Sequence, residues 1–153
     1  MAFSQNELFN RQVVLDLVRV LNPTYSVKFT AYKYARWDAT IFKPSGQIAY
    51  YIESKVRSYS STRFDSAIVG DAKAQLREQS KQAPVYVVSW YQRNNLVYLY
   101  PFARNGILHP SHSSVIKSGK NLLLLPFPSS YCYAYCNRTL TLLSRPVSTF
   151  QTS

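Results

Sequence analysis

Two apolar runs joined by one short turn constrain this chain more than any other stretch. The runs are Ala35 to Phe42 and Ile48 to Val56, with Lys43-Pro44-Ser45-Gly46-Gln47 between them. Pro and Gly mark a turn, and Ile, Tyr and Val suit a pleated, half-buried surface. The segment therefore reads as two adjacent antiparallel strands. Side chains on a strand alternate faces, so Glu53 and Lys55 share one face and Ser54 takes the other. Asp38 and Glu53 lie almost equidistant from the turn centre at Ser45-Gly46. That makes them near cross-strand partners, with Cβ atoms roughly 4.5–5.5 Å apart. The chain has only seven acids, so two of them converging with a lysine on one spot need an explanation.

The flanking sequence predicts an α/β domain of order α-β-β-β-α-β-β. Ser4 and Glu7 form a capping-box pattern before a helix from about Gln5 to Leu21, which Asn22-Pro23 ends. Val13, Val14, Leu17, Val18 and Leu21 supply its buried stripe. A strand follows over Tyr25–Tyr32, then the Asp38 strand, then a strand from Gln47 to about Tyr59. Ile68, Ala72, Leu76 and Gln79, at spacings of about four, predict a second helix from roughly Asp65 to Gln82. Val85–Gln92 and Leu96–Phe102 form a hairpin around Arg93-Asn94-Asn95. Residues 103 to 118 read as an irregular excursion. Short strands are expected at Leu122–Leu125, Tyr131–Tyr135 and Thr139–Leu143, with a loose tail beyond. A length of 153 residues suits one domain. Its core spans residues 1–102, and residues 103–153 form a basic, Tyr-rich extension of that domain.

Charge is distributed unevenly. The formal net charge is +11, and all seven acids lie at or before Glu78. Beyond it stand Lys81, Arg93, Arg104, Lys117, Lys120, Arg138 and Arg145 with no acid to oppose them. Such a surface attracts polyanions, of which nucleic acid is the commonest. The start of the chain lacks a basic segment followed by an apolar one, and the Leu122–Leu125 run is too short to cross a bilayer. A cytoplasmic protein that engages no membrane is expected, with Cys132 and Cys136 reduced.

Two carboxylates at cross-strand distance repel, and a divalent cation relieves the repulsion. Magnesium favours carboxylate oxygen and is commonly held by one or two carboxylates plus substrate phosphate. Asp38 and Glu53 are the candidate ligands, and Lys55 on the same face is placed to assist an attacking water. Asp71-Ala72-Lys73 repeats the acid-x-Lys triplet, but in a helical segment residues two apart do not share a face. The competing reading of Asp38, Glu53 and Lys55 is a surface ion cluster on a half-exposed sheet. Arg57 shares the face of Glu53 and Lys55, and Arg63 follows in the next loop. Both are candidates to hold phosphate or to pair with Asp65.

The Asp38 strand and the Glu53-Ser54-Lys55 strand, set in this element order, resemble the PD-(D/E)XK nuclease superfamily over about residues 4 to 102. Trp37 stands where that family often has proline. The resemblance implies a restriction-endonuclease-like αβββαβ core with a mixed central sheet flanked by helices. It implies Asp38, Glu53 and Lys55 as catalytic residues and magnesium or manganese as the cofactor, with no small-molecule cofactor. Branches that include Holliday-junction resolvases carry a Glu on the first helix that reaches the metal, which makes Glu7 a third candidate ligand besides its capping role. Other branches carry a polar residue on the following helix, and Lys73 and Gln75 are the candidates for contacting nucleic acid. The expected activity is magnesium-dependent DNA cleavage by a structure-selective endonuclease or junction resolvase, working as a homodimer. The alternatives are a catalytically silent nucleic-acid-binding module on the same fold, or a structural or assembly protein. His109, His112, Cys132 and Cys136 could in principle compose a zinc set, but their spacing is poor. The favoured reading of those four is two cysteines packed in a hairpin and two histidines exposed in a loop.

Overall fold

The computed structural model describes residues 4–31 and 37–147. Helix α1 covers Gln5–Leu21. Its first turn is capped as expected, with the Glu7 backbone N–H donating to Ser4 Oγ at 3.2 Å. Strands β1 (Ser26–Phe29), β2 (Ala39–Phe42) and β3 (Ile48–Arg57) then run antiparallel in succession. Residues 32–36, claimed in part by the expected first and second strands, lie outside the described residues. Gly46, at φ 89°, turns the chain between β2 and β3 in a backbone conformation that glycine adopts at little cost.

Beyond β3 the structure departs from the expected long helix. Ser61–Arg63 is a single 3-10 turn, Ser66–Gly70 is a strand, β4, and helix α2 covers only Lys73–Gln79. Leu76 is buried as the spacing implied, but Ile68 is not helical. It lies in β4, where Val69 is opposite Leu123 and Ile68 opposite Leu124 of strand β9 (Lys120–Pro126). Local spacing suggested a helix, and a pairing partner more than fifty residues away made a strand instead.

Strands β5 (Val85–Tyr91) and β6 (Leu96–Arg104) form the expected hairpin. Residues 103–118 are not irregular throughout. They hold the end of β6, the short strand β7 (Ile107–Leu108) and β8 (Ser113–Lys117), which pairs with β9. Strands β10 (Tyr131–Cys136) and β11 (Thr139–Ser144) complete the chain. The large sheet has the order β1-β2-β3-β5-β6-β10-β11, with β7 beside β6, and the small sheet has the order β4-β9-β8. Every pairing is antiparallel except β3 with β5. The protein is thus mixed α/β and mostly strand. Among the described residues no helix is long and apolar enough to cross a membrane.

The two faces of the large sheet carry separate cores. Val13, Val14, Leu17 and Val18 of α1 pack with Ile52, Val88 and Trp90 on one face. On the other face, Tyr51, Val85 and Val87 pack with Leu76 of α2 and with Val69, Leu123 and Leu125 of the small sheet. Each fully buried aliphatic side chain stabilises the fold by roughly 1.5–3 kcal/mol relative to exposure.

One polar group interrupts the apolar stripe of α1. Asp16 is fully buried. Its carboxylate accepts hydrogen bonds from the Tyr135 hydroxyl on β10 and from the Arg138 guanidinium, the second at 3.1 Å from Nη2. Arg138 sits in the β10–β11 turn at φ 63°, an uncommon conformation for a side chain of its size. The Tyr135 hydroxyl is pushed up to about 12, by burial first and then by its hydrogen bond to Asp16. The cluster ties α1 to the last hairpin across more than a hundred residues of chain. Tyr135→Phe removes a buried hydrogen bond to a charged acceptor and should lower unfolding free energy by about 2 kcal/mol, read from urea denaturation midpoints at unchanged slope.

Candidate active site

The sheet brings Asp38, Glu53 and Lys55 together. Asp38 immediately precedes β2, and its backbone N–H donates to the Ile52 carbonyl at 2.7 Å, next to Glu53. The Asp38 carboxylate accepts from the Ser54 backbone N–H at 2.6 Å, which fixes it against β3. Lys55 Nζ lies 3.5 Å from Glu53 Oε1. The Ser54 side chain points to the opposite face, where its hydroxyl donates to Asn10 Oδ1 of α1 at 3.1 Å. The period-two alternation read from the sequence is therefore realised.

The neighbours of Glu53 explain its electrostatics. In the parallel ladder it stands opposite Val87, and its side chain is only 13% exposed. Its pKa is pushed up to about 8, first by burial and then by the Asp38 carboxylate, while the Lys55 ammonium opposes the rise. The Glu53 and Asp38 carboxyls also share a hydrogen bond that favours the protonated form. Two acids held this close in a half-dry site are a demand for positive charge that Lys55 alone does not meet.

Glu53 and Lys55 face a cavity of about 470 Å³. Its far wall comes from two elements that the sequence reading had not placed at the site. Gly70, Asp71 and Ala72 come from the β4–α2 link, and Lys120, Asn121 and Leu122 from β9. Asp71 Oδ1 accepts from the Lys73 backbone N–H at 3.1 Å, and the Asp71 N–H donates to the Asn121 carbonyl at 3.2 Å. Asp71 and Ala72 of the second acid-x-Lys triplet thus line the same cavity just before α2, while Lys73 does not. Lys120 and Asn121 carried no local motif, and only the β4–β9 pairing reveals their place.

The other candidates are dispersed. Glu7 is exposed in the first turn of α1, a helix that packs on the sheet face opposite Glu53. The side chains that set the charge state of Glu53 are Asp38 and Lys55. Lys73 Nζ donates to Ser114 Oγ of β8 at 2.6 Å, and Gln75 is exposed on α2. Arg57 donates through Nη2 to the Ile68 carbonyl, latching β3 to β4. The Arg63 guanidinium lies over the rings of Tyr59 and Phe64, at 5.1 and 5.5 Å from their centroids.

The histidines and cysteines do not form one site. His109 is buried, not exposed as expected, with Nδ1 2.8 Å from Ser111 Oγ and the Tyr100 ring against it. Cys132 is buried beside the Tyr98 hydroxyl and Cys136 is exposed. Among the described residues no group of three or more His, Cys, Asp or Glu side chains stands close enough to hold a metal ion. Any cation at Asp38 and Glu53 would thus have two carboxylate ligands, within the range that magnesium uses. No family model matches the chain, and no curated protein or solved structure does either.

The raised Glu53 pKa sets the sign of a pH effect. An acid with a folded pKa above its unfolded value keeps an extra proton in the folded state, so folding weakens as pH rises between the two values. For Glu53 this window runs from about 4.5 to about 8. The metal-free protein should lose stability on the order of a few kcal/mol across it. Glu53→Gln should flatten that decline, and magnesium should restore wild-type stability near the upper end but leave the variant unmoved. Thermal melts over a pH series with EDTA or magnesium measure both effects.

Proposed function

We propose that this chain is a metal-dependent phosphodiesterase that cleaves DNA, with a restriction-endonuclease-like core of the PD-(D/E)XK type. The observation that carries the reading is that Asp38 is fixed against β3 beside Glu53 and Lys55, which line one cavity, with Glu53 pushed up to about 8. The element order supports it as well. A helix and three antiparallel strands are followed by a crossover that carries a helix and returns to a strand parallel to the third. Strand β4 and the β8–β9 hairpin are additions to the expected core.

The donor set fits a hard divalent cation, magnesium or manganese, because its ligands are carboxylate oxygens whose mutual repulsion a cation offsets. When bound, such an ion lowers the pKa of a water and withdraws charge from a phosphoryl oxygen. The residues of the chain do the rest. Asp38 is oriented by the Ser54 N–H and has one carboxylate oxygen left to bind with. Glu53, protonated at rest, would serve as the second ligand in its ionised form, with its proton lost to solvent. The Lys55 ammonium, 3.5 Å from Glu53 Oε1, is placed to hold the attacking water or the charge that builds on the phosphate. The structure-selective endonuclease or junction resolvase, acting as a homodimer, is the sub-type that suits a compact chain with a basic second half.

Asp38→Asn keeps an oxygen for the Ser54 N–H, and Lys55→Ala removes only a half-exposed amine. Each should reduce magnesium-dependent cleavage of branched or duplex DNA by about a hundredfold or more while leaving the fold and DNA binding intact. Wild-type rates in either variant would sink the assignment. Salt-sensitive binding by a wild-type protein that never cuts would favour a catalytically silent binding module on the same fold.

A further inference from the structure

The cavity at Glu53 and Lys55 borders a second one of about 400 Å³: Val69, Gly70 and Leu122 line both, and Glu53, Lys55, Arg57 and Tyr59, two residues apart in turn, line the pair in succession. The second is lined by Arg57, Tyr59, Arg63, Phe64 and Lys117. Together they make a trough along one face of β3 and the loop after it. A strand advances about 3.3 Å per residue, so Glu53 to Arg57 of β3 cover roughly 13 Å, and the loop to Tyr59 extends this to the length of a few nucleotides.

The walls differ in chemistry. On one side the Arg63 guanidinium lies over Tyr59 and Phe64, and Phe64 is 39% exposed. Tyr59 packs at a tilt against Tyr91, with centroids 5.8 Å apart, and edge-on against Phe64 at 5.7 Å, which holds the Phe64 ring in place. On the other side the β8–β9 hairpin turns through Ser118 (φ 54°) and Gly119 (φ 75°). That turn sets Lys117 directly opposite Lys120 across the ladder. Like charges facing each other on a hairpin are destabilising. Among the described residues neither lysine has a carboxylate partner. This repulsive cationic pair, with Lys120 on the first cavity and Lys117 on the second, is what an anionic chain would neutralise.

We propose that this trough holds an unpaired nucleic-acid strand. A base stacks on the exposed Phe64 ring, the phosphates pair with Lys117 and Lys120, and the backbone runs on to Glu53 and Lys55. The inference rests on the phosphodiesterase reading for the direction of the strand, but its binding claim stands apart from catalysis. The exposed ring selects the substrate class. A base in an intact duplex is stacked within the helix and has no free face for Phe64, whereas an unpaired base has one. Aromatic platforms beside cationic grooves are the general means of holding single strands with little sequence preference.

Fluorescence anisotropy with the full chain in EDTA tests this without cleavage. The probes are an unpaired DNA oligonucleotide, its RNA equivalent, a blunt duplex and a duplex with a single-stranded tail. Wild type should bind the unpaired and tailed probes about tenfold or more tighter than the blunt duplex. Phe64→Ala should weaken unpaired binding about tenfold and leave blunt-duplex binding unchanged, and Phe64→Trp should retain it. Replacing both Lys117 and Lys120 by Ala should reduce the slope of log affinity against log salt by about 1.4. Melting curves confirm that each variant is folded. Equal affinity for blunt and unpaired probes, no effect of Phe64→Ala, or no binding by wild type at low salt would overturn the trough assignment. The DNA and RNA arms distinguish the two strand chemistries. Loss of cleavage in Asp38→Asn with unchanged Phe64→Ala binding would leave the phosphodiesterase reading standing and remove only the trough. Phe64-dependent binding without any cleavage would do the reverse.

Discussion

The parallel ladder between β3 and β5 is the constraint on which the rest depends. It pairs Tyr51 with Val85 through to Arg57 with Tyr91 without a break in register. Two parallel neighbours cannot be joined by a hairpin, so the chain must leave the end of β3, cross one face of the sheet and return. The crossing segment is the 3-10 turn, β4 and α2. Because it covers the face that bears Glu53 and Lys55, the crossover itself becomes the opposite wall of their cavity. The same ladder places Glu53 beside Val87, and the resulting desolvation is the largest cause of its raised pKa. Site geometry and site electrostatics thus share one origin in the topology.

Several local choices run against what stability alone would favour. Asp38 and Glu53 are pressed together, and Lys117 faces Lys120. Asn137 and Arg138 both take positive φ in the last hairpin turn. The third case has a visible offset, since the strained turn delivers a cation to the buried Asp16. The Asp38–Glu53 pair is only partly offset by Lys55, and neither Lys117 nor Lys120 has a carboxylate partner among the described residues; Glu53 and both lysines border the same trough. Conflicts between local preference and fold tend to gather at functional surfaces.

Where the determinants are local, the sequence was legible. Ser4 and Pro23 bracket α1, and the β2–β3 turn signals placed Asp38 against Glu53 within a residue. The Asn94-Asn95 hairpin also appeared where its turn chemistry put it, with Asn95 at φ 52°. Legibility failed where a partner was distant. Ile68, Ala72 and Leu76 have helical spacing, yet only the last lies within α2, because β9 supplies a ladder for Ile68 and Val69. Ser113 to Lys117 look like polar loop residues and are a strand for the same reason. His109 reads as exposed amid Pro and Ser, but it is buried, with the Tyr100 ring of β6 against it.

The sequence by itself determined the helix at the start, the alternation that sends Glu53 and Lys55 to one face, and the acid-free basic half. These follow from periodicity, turn residues and charge count, all of which act within a few residues or need no geometry. Only the tertiary structure decided that β9 and its hairpin would close the cavity and that Asp71 would border it. It also decided that Glu53 would be dry enough to keep its proton. Those outcomes depend on pairing and burial between segments far apart in the chain, and no local pattern encodes the distance between them.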